Sequence, residues 1–226
     1  ETEHFPDFQI MQERFFIRLL NNLFENEAQY LSQVKELNLS FSYAGYAAAH
    51  LEILLPQTSG TRLSWEQLLK LYNSTFHMFQ ELLGKYLPCR MIALDTRRLA
   101  AVFYINENSL ATWSDVLSTA LHHASEMLFN YYSVKVLAGI GRLVNTPLEL
   151  CVSYNDARQL SGSVSETDSV LFWDSIPDST RLRNVFNLSL FRKEIGEAFE
   201  TLDENALHSV FSNISSILSA ENVRYS

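Results

Sequence analysis

The sequence predicts an α+β fold, a β-α-β-β-α-β-α core domain with helical segments before and after it. Three observations predict it. The long stretches Ser64–Gly84 and Ala111–Tyr132 repeat apolar residues at helical spacing. Shorter runs rich in aliphatic and aromatic residues, at Phe41–Leu55, Arg90–Asp95, Leu99–Ile105 and Val134–Ile140, alternate with them as strands. Finally, Ser161–Ser169 (SGSVSETDS) has almost no apolar content and marks a boundary.

Taken in order, Pro6–Glu25 reads as a helix. On a wheel of 100° per residue, Phe8, Met11, Phe15, Phe16, Leu19, Leu20 and Leu23 fill one broad arc. Ile10, Ile17 and Phe24 lie outside that arc and recur every seven residues. A helix apolar over so much of its girth needs partners on two sides. Burial in a single core is one reading. A homodimer seam using Ile10, Ile17 and Phe24 is the other, and these are the candidate dimer contacts. A shorter helix near Glu27–Leu37 follows.

Phe41–Leu55 reads as the first strand and Pro56–Thr61 as a turn. Ser64-Trp65-Glu66-Gln67 matches a capping box, in which the serine accepts from the third helical N–H and the glutamine reaches back. Trp65, Leu68, Leu69, Tyr72, Phe76, Phe79, Leu82 and Leu83 give that helix its core stripe. The next two strands form a hairpin around Asp95-Thr96-Arg97-Arg98. The second long helix has Thr112 or Ser114 as its N-cap candidate. After the strand Val134–Ile140, Thr146-Pro147-Leu148-Glu149 places a cap, a first-turn proline and an acid where a helix start wants them. That helix is expected to run to about Leu160. The first six core elements follow the ferredoxin-like order. Beyond Pro177 the chain reads as helical to about Ala220, with stripes at Leu188, Phe191, Ile195, Phe199 and Leu202, then at Leu207, Val210, Phe211, Ile214 and Leu218.

Composition narrows the function. Hydrophobic residues make up 47% and charged residues 19%, which suits a folded chain. A net charge of -9 repels phosphate backbones, so direct nucleic-acid binding is not expected. Cys89 and Cys151 show no metal or redox spacing, and two packed thiols in a cytoplasmic protein are expected. No signal peptide or membrane span is read, because charges interrupt the first twenty residues and His50 and Glu52 interrupt the most apolar run.

The stretch Val134–Arg158, VKVLAGIGRLVNTPLELCVSYNDAR, resembles the last βα unit of a catalytically dead GGDEF-like domain. The segment Glu13–Leu39 resembles the helical lead-in that bacterial AraC-type transcription and response regulators place before such a module. The trailing helices resemble the connector toward their DNA-binding domain. The resemblance implies a helical lead-in at 1–40, a degenerate GGDEF-like domain at 41–162 and a helical connector at 163–226. It also implies an upstream receiver or sensor domain and a downstream helix-turn-helix domain in the full-length chain. The implied function is regulatory signal transmission. The alternative is small-molecule sensing through the degenerate nucleotide cleft, with an effector that the residues do not name.

Departures from the pattern argue against catalysis. Active GGDEF enzymes carry a Gly-Gly-Asp/Glu-Glu-Phe turn in the central hairpin, where the glycines admit the nucleotide and the acids hold divalent metal. This chain has Asp95, Thr96, Arg97 and Arg98 there, with no glycine and one carboxylate. Leu54, Leu55 and Pro56 stand where those enzymes use an aspartate near the end of the first strand. Gly139-x-Gly141 is followed by Val144 instead of the third glycine of a dinucleotide fingerprint, so it reads as a turn. His122 and His123 are adjacent and face different ways on a helix, while His50, His77 and His208 stand alone in sequence. No catalytic residue, cofactor site or metal site is assigned.

Overall fold

A computed structural model describes residues 5–55, 64–161, 164, 169–176, 184–186, 196, 208–212, 215 and 223–225. The chain divides into two units, one of residues 42–175 and one combining 1–41 with 176–226.

The central unit is an α+β domain built on a five-stranded mixed sheet. Its strands are β1 (Gly45–Leu54), β2 (Cys89–Ala93), β3 (Arg98–Ile105), β4 (Lys135–Ile140) and β5 (Val170–Phe172), in the spatial order β2-β3-β1-β4-β5. β1 lies antiparallel between β3 and β4, β2 is antiparallel to β3, and β5 is parallel to β4. α3 (Trp65–Gly84), α4 (Trp113–Tyr132) and α5 (Leu150–Ser161) connect them. The leading segment carries α1 (Phe5–Leu20) and α2 (Glu27–Glu36).

Alternation along β1 decides what each face carries. Ala47, Ala49, Leu51 and Ile53 face α3 and α4, where Phe79, Leu83, Leu117, Leu121 and Leu128 complete a continuous core. Ala48 and His50 face the other way, toward α5, which lies over β1 and β4. Both glycines of Gly139-x-Gly141 are explained by that packing. A Cβ on Gly139 would sit 2.4 Å from the Ala157 carbonyl oxygen, and one on Gly141 would sit 1.8 Å from that of Ser153. The expected turn is in fact the end of a strand: Gly139 lies within β4 and Gly141 follows it, and the pair lets a helix lie against that strand.

The capping box of α3 is present: Gln67 N–H donates to Ser64 Oγ (3.2 Å), and Ser64 N–H donates to Gln67 Oε1 (2.8 Å). Thr112 takes the N-cap position of α4, but its side chain makes no capping bond. At the other predicted start, Glu149 accepts from both the Thr146 N–H (3.1 Å) and its hydroxyl (3.0 Å). A 3-10 turn, Pro147–Glu149, comes first, and α5 then continues to Ser161.

Four expectations need correction. Trp65 and Leu69, expected in the core stripe of α3, are exposed. β1 begins at Gly45, four residues after the expected Phe41, and Phe41 instead packs with the aromatic rings of the leading segment. The central unit continues past 162 to Ser175, because Val170–Phe172 adds β5 to the sheet. In the trailing segment, Asn184–Phe186 forms a strand, β6, paired in parallel with β7 (Val223–Tyr225), where helix was expected. A β-branched and an aromatic residue suit a strand locally, and the partner 39 residues away is invisible to local pattern. Residues 196, 208–212 and 215 are helical. Most of the two expected stripes and the turn Pro56–Thr61 lie outside the described residues.

In the leading segment, α1 (Phe5–Leu20) and α2 (Glu27–Glu36) form a helical hairpin. Asn26 caps α2 by accepting from Gln29 N–H at 2.8 Å. Phe15 is the hub of an aromatic cluster, with ring centroids 5.3 Å from Phe24, 5.9 Å from Tyr30 and 6.1 Å from Phe41. Phe24 does not continue the helix that carries Ile10 and Ile17. α1 stops at Leu20, Asn22 turns the backbone into the left-handed region (φ 53°), and Phe24 is buried with the Arg18 guanidinium 4.7 Å from its ring centroid. Phe24 therefore belongs to the interior of this unit, while Ile10 is exposed and Ile17 half-buried on α1.

Candidate functional site

The β2–β3 turn is where the sequence places its one degenerate motif. Asp95 Oδ1 accepts from the backbone N–H groups of Arg97 and Arg98, each at 2.8 Å, and Oδ2 accepts from Arg98 Nε at 2.7 Å. Arg98 also pairs with it through a second guanidinium nitrogen at 2.6 Å. Partial burial alone would raise the Asp95 carboxyl, but these hydrogen bonds outweigh it and hold the group below the usual range. An Asx turn of this kind rigidifies a glycine-free loop. It also occupies the only acid of the turn, and Thr96 and Arg97 remain exposed at the tip.

Beneath the turn, the sheet face toward α5 carries a polar group that sequence spacing did not connect. His50 Nδ1 lies 3.1 Å from the Tyr154 hydroxyl, and both side chains are buried. Burial lowers the His50 pKa to about 4, and the positive charges of Arg158 and Arg98 push in the same direction. Burial likewise pushes the Tyr154 hydroxyl up to about 12. Both are therefore neutral at pH 7, and with the ring proton on Nε2 the hydroxyl donates to Nδ1. His50, isolated in sequence, has a partner 104 positions away.

A second buried polar group ties α5 to the end of β4. Ser153 Oγ accepts from Ala48 N–H (2.9 Å) and donates to the Arg142 carbonyl (2.7 Å). The Arg142 side chain grips Asp156 with two hydrogen bonds and lies 5.3 Å from the Trp173 ring centroid. Asp156 is almost wholly buried, and burial raises its pKa against the pull of Arg142. Thus the Gly-x-Gly-Arg and Ser-Tyr-x-Asp wording of Val134–Arg158 corresponds to one packing device: glycines for close approach, serine for the backbone, and an ion pair for the helix.

Cavities lie elsewhere. One of about 370 Å³ opens between the first turns of α4 and the segment following β5; its walls include Trp113, Asp115, Phe172, Trp173 and Asp174. It lies at the Gly141 end of β4, whereas the Asp95–Arg98 turn is at the opposite end of the sheet, beyond the last residues of β1. A second, of about 330 Å³, lies between α4 and the start of β4 and includes His122, Phe129 and Leu137. His123 points away from it and bonds the Tyr86 hydroxyl at 3.0 Å, so the two adjacent histidines diverge as their spacing requires. The first cavity is invisible to local sequence pattern, because its walls come from segments about sixty residues apart.

Among the described residues, no three His, Cys, Asp or Glu side chains are grouped to hold a metal ion. Cys89 and Cys151 are both unpaired, and burial raises both thiols, Cys89 to about 11. No helix of the described residues is long and apolar enough to cross a membrane. No protein-family model matches the chain, and no curated protein matches it either.

Proposed function

We propose that this chain is a non-catalytic regulatory module of a bacterial AraC-type transcription regulator. In this reading it is cytoplasmic and dimeric, and it transmits a signal from an upstream receiver or sensor domain to a downstream helix-turn-helix domain. The observation that carries the reading is the β2–β3 turn. In a GGDEF-like module this turn would meet nucleotide and metal, and here its single carboxylate is bound to its own turn and to Arg98. The antiparallel order β2-β3-β1-β4 supports it as the order of a ferredoxin-like, GGDEF-like core. The dimer part rests on Ile10 and Ile17 alone, now that Phe24 is turned inward.

Two assays test the reading. Incubation with GTP and Mg²⁺ or Mn²⁺ is expected to yield no cyclic dinucleotide above a protein-free control. Deleting the module from the full-length regulator is expected to change promoter affinity or signal response. Product that survives repurification, or a deletion without effect on either quantity, overturns the proposal. Sensing of a small molecule is the second reading, and the cavity beside Trp113 and Trp173 favours it at a place other than the degenerate nucleotide cleft.

A further inference from the structure

The cavity between α4 and the β5 exit has walls of unusual chemical bias. Trp113 and Phe172 meet edge to face, with centroids 6.0 Å apart, and Trp173 continues the aromatic surface. The polar lining comprises the Asp115 and Asp174 carboxylates and the hydroxyls of Ser114, Ser118 and Ser175. The Asp115 and Asp174 carboxylates lie at the exposed rim, and neither has a hydrogen-bond partner among the described residues. Ser175 spends its hydroxyl proton on the Phe172 carbonyl at 2.7 Å, so it offers only lone pairs to an incoming group.

The sign of the local charge follows from a short comparison. Two carboxylates contribute a full negative charge each. Arg142 stands near Asp174, but its guanidinium is already matched by Asp156. The N-terminus of α4 opposes them with only about half a positive charge. The carboxylates win, so anions such as phosphates and organic acids are disfavoured. A bare divalent cation is poorly served too, because hard cations want six or more oxygen ligands and the walls offer only two carboxylates, both at the exposed rim. Aromatic faces beside carboxylates suit an organic cation, whose charge meets the acids while its body covers the rings.

We propose that this cavity binds a small organic cation, an ammonium or guanidinium group on an aromatic or apolar body. Asp115 and Asp174 receive its N–H donors, and its body rests on half-buried Phe172 and on the small exposed parts of Trp113 and Trp173, the latter already faced by Arg142. The site does not depend on the regulatory reading, since binding is a property of the chain itself. If that reading also holds, the ligand contacts Trp173–Ser175, the last residues of the central unit.

The test uses the full chain with Trp65→Phe, which removes the exposed tryptophan of α3 and leaves the two cavity tryptophans as fluorescent probes. Benzylammonium is expected to change their emission saturably. Benzyl alcohol, of the same shape without the charge, should bind at least about tenfold more weakly, and added salt should weaken only the cation. Converting Asp115→Asn together with Asp174→Asn should also reduce benzylammonium affinity about tenfold. The proposal is overturned by an absence of saturation, by equal affinity for the alcohol, or by an Asn variant that folds and binds undiminished. The comparison between the two ligands needs no variant at the acids, so it decides the matter even if the double substitution perturbs α4.

Discussion

Acidification should destabilise this chain through His50, and the magnitude can be worked out. In the folded chain burial holds the imidazole near a pKa of about 4, with Arg158 and Arg98 adding to the effect and Asp95 opposing it. In the unfolded chain it titrates near the ordinary value of 6.5. Between those values the unfolded state binds more protons, so stability is full above about pH 6.5 and is lost as the pH falls toward 4. From pH 7.5 to pH 5.0 the loss assigned to this residue is about 2 kcal/mol. Urea unfolding of the wild type and of His50→Gln at both pH values isolates it, since the glutamine can still accept from Tyr154 and does not titrate. The wild type should lose about 2 kcal/mol more than the variant over this interval. Equal losses in the two proteins would refute the reasoning, because they would mean that His50 charges freely in the native state.

Four further outcomes are expected. Gly141→Ala should destabilise by about 3 kcal/mol or fail to fold, because its Cβ would sit 1.8 Å from the Ser153 carbonyl oxygen; Gly84→Ala, which meets nothing within 4 Å, should stabilise by up to about 1 kcal/mol in the same urea assay. Arg142→Leu should cost about 2–3 kcal/mol by leaving Asp156 buried and unmatched, and adding Asp156→Leu should recover much of that loss. Ile17→Asp should convert a dimer to a monomer in sedimentation while the far-UV spectrum persists; a wild type already monomeric at high concentration, or a variant that unfolds, would remove α1 as the seam.

What the sequence revealed divides by how local the determining interaction is. Ser64 and Gln67 meet across three residues, so the start of α3 was legible from four letters. Thr146 and Glu149 were equally plain. The β2–β3 turn was legible as a turn, and its failure to resemble a metal loop was legible too. His50 and Tyr154 were not, because each is an ordinary residue whose neutrality arises only when α5 folds across β1. β5 escaped for the same reason: Val-Leu-Phe after a polar loop becomes a strand because β4 offers a parallel edge. Phe24 was misplaced by extending a period through Asn21–Asn22, where the backbone had already left the helix.

That small fifth strand has a practical consequence for anyone who cuts the gene. A protein ended at residue 162, where the composition changes, would strip the outer edge of β4 and bare the backbone groups of Ala138–Ile140. An open, apolar edge of this kind recruits strands from neighbouring molecules, so the shortened product should aggregate. A boundary at Ser175 retains the edge cover and the Trp173 ring against which Arg142 rests. The thirteen residues between the two cuts thus separate a shielded sheet from a sticky one.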